Sequence, residues 1–77
     1  MKIYCISDSL ETALGLKLAG VKSSILNDKD KIDKKIDEIL DTSDIGILVV
    51  TEAVYNFSKE KLDQIKEFRR IPLIVKI

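Results

Sequence analysis

The sequence predicts an α/β domain built on a four-stranded parallel sheet, with elements in the order βαβαβαβ. Three short, largely apolar runs, at residues 3–6, 45–50 and 73–77, and a weaker segment at 21–26 have the length of strands. Longer charged segments with apolar residues at helical spacing separate them. Strict alternation of the two implies parallel strands joined by helical crossovers, with helices on both faces of the sheet.

Residues 3–6 form the first strand, and Ser7-Asp8-Ser9 behind it are three turn or cap formers in a row. Asp8 and Glu11 make a capping-box-like start to a helix whose apolar stripe is Leu10, Ala13, Leu14, Lys17 and Leu18. Gly20 ends that helix as a C-terminal cap, and residues 21–26 form a weaker second strand. Asn27-Asp28 opens a second helix with Ile32, Ile36, Ile39 and Leu40 on its apolar face. Asp30, Lys34, Asp37, Glu38 and Asp41 lie opposite, with Asp30–Lys34 and Lys34–Glu38 spaced as i,i+4 ion pairs. Residues 45–50 are apolar throughout, which predicts a central strand covered on both faces. Ser58 caps a third helix with the stripe Leu62, Ile65, Lys66 and Phe68 or Arg69, and Pro72 restarts the chain as the last strand.

Right-handed crossovers favour the flavodoxin-like or receiver-like strand order 2-1-3-4. The first helix then lies alone on one face, and the other two share the opposite one. Strands three and four are left uncovered on the first helix's side although both are apolar, and the next helix of such a fold would begin beyond Ile77. An exposed apolar surface of that kind marks a partner.

At 77 residues the chain is a single small domain, spanning 1–77, with no internal repeat or linker. Its composition, 45% hydrophobic and 34% charged, excludes disorder, and its longest apolar run is far short of a membrane span. Thirteen basic and thirteen acidic residues cancel, so no electrostatic footprint points to nucleic acid or an anionic membrane. A single cysteine forms no internal disulfide, and no secretion signal opens the chain, so a cytoplasmic location is expected. With no histidine, the usual zinc and haem ligand sets and the Ser/His/Asp or Cys/His nucleophilic arrangements cannot be assembled, and no cofactor is expected.

Carboxylate chemistry remains. Ligands of open parallel sheets bind beyond the strands' carboxyl ends where strand order reverses, here lined by Ser7, Asp8, Ser9, Thr51 and Glu52. Asp8 and Glu52 could hold a divalent cation in a receiver-like metal- or phosphate-responsive domain, or serve as a helix cap and a helix-start charge. Cys5 lies within the first strand as a small buried hydrophobe, without a phosphate-binding loop. Tyr55 and Phe57 fit either the core or a binding anchor. Lys59, Lys61, Lys66, Arg69 and Arg70 make the third helix locally basic, interrupted by Glu60, Asp63 and Glu67. Self-association through the uncovered face or the last strand's edge is a further possibility.

Three motifs, 15–21 (GLKLAGV), 44–52 (DIGILVVTE) and 72–77 (PLIVKI), resemble the F subunit of the V-type (archaeal-type, or A-type) ATP synthase and cover nearly the whole chain. Leu16 stands where that family carries phenylalanine, and Ser7-Asp8 where it carries Gly-Asp. Family members continue past the fourth strand into a helical segment. The resemblance implies a non-catalytic rotor component on the central stalk, bound to the coiled coil of the D subunit and touching the catalytic head. It would support ATP synthesis or hydrolysis coupled to proton or sodium transport, peripheral to the membrane. Leu16, Tyr55, Phe57 and Phe68 are the expected partner anchors, with Leu16→Asp expected to end binding and spare the fold.

Overall fold

The computed structural model describes residues 2–41 and 44–77; Met1, where the stretch read for a secretion signal begins, Thr42 and Ser43 lie outside the described residues. Strands β1 (Lys2–Ser7), β2 (Lys22–Ile25), β3 (Ile45–Val50) and β4 (Leu73–Lys76) form one all-parallel sheet in the order β2-β1-β3-β4. They are joined by α1 (Leu10–Leu18), α2 (Lys29–Asp41), α3 (Glu52–Phe57) and α4 (Lys59–Phe68). The expected class and strand order are both present. The crossover between β3 and β4 holds two helices where one was expected, because the aromatic-bearing segment is itself helical. The pair breaks at Ser58, whose backbone (φ −124°, ψ 36°) departs from helical geometry.

The core lies on one side of the sheet. Ile6, Leu48, Val50 and Ile74 project from three strands onto Ile32, Ile36 and Ile39 of α2, Val54 and Tyr55 of α3, and Leu62 and Ile65 of α4. Apolar residues three and four apart put each helix's stripe on this layer, as their spacing predicts. Burial along β3 alternates instead of being continuous: Gly46, Leu48 and Val50 are buried, while Ile45, Ile47 and Val49 are only partly covered. The expectation of a strand covered on both faces is corrected here, since α1 reaches β1 and β2 but does not extend over β3 and β4.

Helix α1 begins one residue later than the cap assigned to Asp8. Ser9 has the extended backbone of an N-cap, and its hydroxyl accepts from the Thr12 N–H at 3.4 Å. The helix ends in a Schellman motif: Gly20 N–H donates to the Lys17 carbonyl and Val21 N–H to the Leu16 carbonyl, both at 2.9 Å. Gly20 sits at φ +87°, a conformation that side chains with a Cβ resist, although open space surrounds the position. Gly20→Ala is therefore expected to destabilise the fold by about 1–2 kcal/mol through the backbone alone. Urea denaturation measures this, and Gly20→Asn should recover part of the loss.

The ion pairs of α2 also differ from the expected ones. Lys29 pairs with Asp33 at 2.8 Å and Lys35 with Glu38 at 3.6 Å, in place of Asp30–Lys34 and Lys34–Glu38. Asp33 is fixed because it also accepts from the Ser58 hydroxyl at 2.6 Å, which ties α2 to the α3–α4 junction and leaves Ser58 without a capping bond of its own. Partial burial opposes ionisation of Asp33, but the hydrogen bonds from Lys29 and Ser58 prevail and hold its carboxyl below the usual carboxylate range. A depressed folded-state pKa contributes stability that is complete above the unfolded value of about 3.9 and fades as pH falls through the lower folded value. Ser58→Ala is expected to cost about 1–2 kcal/mol at pH 7, with a smaller difference from the parent at pH 3. Denaturation at the two pH values checks the sign.

Candidate functional site

Beyond the carboxyl ends of β1 and β3, the polar residues form a closed latch. Ser7 is fully buried; its hydroxyl donates to the Ser9 carbonyl and accepts from the Ser9 N–H, both at 2.9 Å. The Thr51 hydroxyl donates to Asp8 Oδ1 at 2.6 Å, joining the loops that follow the two central strands. Glu52 is exposed in the first turn of α3. Among the described residues no three metal-ligating side chains come together here or elsewhere. The geometry gives Asp8 a structural partner across the switch point. Cys5 is fully buried in β1, and burial pushes its thiol pKa up, away from the reactive thiolate.

The opposite side of the sheet offers a different kind of surface. Strand alternation puts Ile3, Ile47, Val49, Leu73 and Val75 on the face that carries α1. Ile3 and Leu73 are exposed, and the other three are partly covered. Beside this strip, α1 holds the sheet with Ala13, which is buried, and Leu16, which is half-buried. The leucines at 10, 14 and 18, one turn apart, line another strip of the helix and are 59%, 50% and 92% exposed. Sequence spacing assigned these three to the core stripe, and the structure corrects that. Helix α1 is apolar nearly all round, so a stripe can be drawn along several of its sides; its contacts with the sheet select the one bearing Ala13. That all-round apolarity was the signal for the exposed leucines. Gly15 lies among them with nothing near its missing side chain, which leaves room for a close neighbour.

The four anchors expected from the sequence fall into different settings. Leu16 is turned toward the sheet. Tyr55 is 9% exposed; its hydroxyl donates to Asp63, and the ammonium groups of Lys66 and Lys76 stand 4.8 and 5.1 Å from its ring centroid. Phe57 and Phe68, at 42% and 76% exposure, are accessible, but they end α3 and α4 on the face opposite α1. The sheet separates Leu16 on α1 from the other three, which lie on α3 and α4. No helix among the described residues is long and apolar enough to cross a membrane.

Comparison with known proteins agrees with the sequence motifs. The profile of the ATP synthase (F/14-kDa) subunit family matches residues 3–77. The chain is 32% identical over 69 residues to the A-type ATP synthase F subunit of Methanocaldococcus jannaschii, an alignment covering 87% of this chain and 68% of that protein. It is 29% identical over 82 residues to the A-type ATP synthase F subunit of Thermococcus kodakarensis, covering all of this chain and 74% of its relative.

Proposed function

The chain belongs to the family of ATP synthase F subunits, and from that premise we propose that it is a non-catalytic component of the central stalk of an A-type rotary ATPase. In this role it binds the coiled-coil D subunit and turns with it, supporting ATP synthesis or hydrolysis coupled to proton or sodium transport. The observation that carries the proposal is the exposed row Leu10, Leu14 and Leu18 of α1, on the side of the sheet where Ile3 and Leu73 are also left uncovered. Leucines one turn apart on an exposed helix suit a second helix packed along them, and a coiled coil supplies such a helix already rigid. Burying apolar side chains of this size contributes roughly 1.5–3 kcal/mol each, so a few suffice for a stable complex. In this reading the exposed Phe57 and Phe68, on the far side, would meet a different neighbour such as the catalytic head.

Co-expression with the coiled-coil stalk protein and co-purification at high salt tests the assignment. A one-to-one complex that resists salt, because apolar burial is insensitive to screening, is the expected result. Recovery of the chain alone would remove the stalk assignment.

A further inference from the structure

A second feature, independent of α1, lies at the other side of the sheet. β4 is an edge strand, bonded on one side only, to β3. The Ile77 N–H donates to the Val50 carbonyl at 2.9 Å, and in a parallel ladder alternate residues bond to a given neighbour. Ile77, Val75 and Leu73 therefore turn their backbone groups toward β3, and Ile74 and Lys76 turn theirs outward, where no described residue bonds to them. Charge is uneven here as well. The chain is neutral as a whole, but residues 66–77 hold four basic side chains and one acidic. Arg69 and Arg70 are exposed and in no ion pair among the described residues. The ammonium groups of Lys66 and Lys76 both stand over the ring of Tyr55. Phe68 and Ile71 stand exposed on either side of the arginine pair.

We infer that the outer edge of β4 receives an extended segment of a partner protein, with acidic and aliphatic residues alternating, as an added strand. The outward groups of Ile74 and Lys76 supply the ladder bonds, the arginines meet the carboxylates, and Phe68 and Ile71 cover the aliphatic side chains. The same charges disfavour a second copy of this chain, because pairing two such edges would bring Arg69, Arg70 and Lys76 against their own kind.

The probe is a blocked six-residue peptide of alternating Glu and Val, added to the ¹⁵N-labelled chain, with a Lys–Val peptide of the same pattern as control. Expected are amide shifts confined to residues 68–77, and exchange of the Ile74 and Lys76 amides slowed by about tenfold at saturation. R69E/R70E should weaken the acidic peptide by about tenfold or more, with the rest of the spectrum unchanged; R69Q/R70Q serves if that variant does not fold. Leu14→Asp should bind the peptide as the parent does, so failure of the stalk assignment and failure of this one are distinguishable. Equal binding of the Lys–Val peptide, shifts centred on α1, a doubling of mass through β4 without peptide, or no shift at millimolar peptide would each overturn the inference.

Discussion

Replacing Leu14 with aspartate is expected to abolish binding of the chain to the coiled-coil stalk protein while leaving its unfolding transition in place. Leu14 is half exposed and central in the row from Leu10 to Leu18, so a carboxylate there remains hydrated in the free chain. Against a packed helix it would be buried without a partner, and a loss of at least about 100-fold in affinity follows from the cost typical of a central anchor. Titration calorimetry with the coiled-coil protein measures the loss, and urea denaturation of the free chain should move by less than about 0.5 kcal/mol. Leu16→Asp gives the contrast. The side chain is half-buried against the sheet, so a charge there is expected to damage the fold first, against the expectation from sequence that it would spare it. Unchanged affinity in Leu14→Asp would separate the leucine row from stalk binding.

Leu48→Ala is expected to remove much of the stability of the domain. Leu48 is fully buried at the centre of β3, between β1 and β4 and beneath the helices of the core face. Truncating a leucine in such a position costs about 2–5 kcal/mol in lost transfer energy and residual cavity. A chain of this length has a total of about 4–12 kcal/mol to lose. The urea midpoint should fall steeply, and at the larger cost the variant is partly unfolded at physiological temperature. The same truncation at Leu18, 92% exposed on α1, should leave the midpoint almost unmoved. A small effect at Leu48 would mean that the core closes around the void.

The elements legible in the sequence were those in which one local signal dominated. Ile32, Ile36, Ile39 and Leu40 are the apolar residues of an otherwise charged α2, so spacing identified the buried face without ambiguity. Strand order followed from crossover handedness, and Gly20 marked the end of α1 because its conformation requires glycine. Two kinds of feature were not legible. Partner choice among like residues depends on tertiary placement: Asp33 was selected over its neighbours because Ser58, 25 positions away, reaches it, and Asp8 turned from a helix cap to Thr51 for the same reason. Where a segment is apolar in every direction, as in α1, periodicity does not distinguish the side that meets the sheet from the side that meets a partner. The candidate surface was therefore visible as an uncovered sheet face, while the leucine row beside it emerged only from the packing.

The order β2-β1-β3-β4 also sets a schedule for synthesis. β1 precedes the other three strands in the chain and yet lies near the centre, where its Tyr4 pairs with Lys22 on one side and Leu48 on the other. Until β3 has left the ribosome, β1 has one neighbour instead of two, and Ile6 and the α2 isoleucines lack the strand that completes their layer. At about 5–20 residues per second, that interval lasts a few seconds, long against the time a short helix takes to form. Contacts separated this far along the chain also close late, because the loop entropy must be overcome before they contribute. The earliest of the four strands to be translated is thus among the last to be secured.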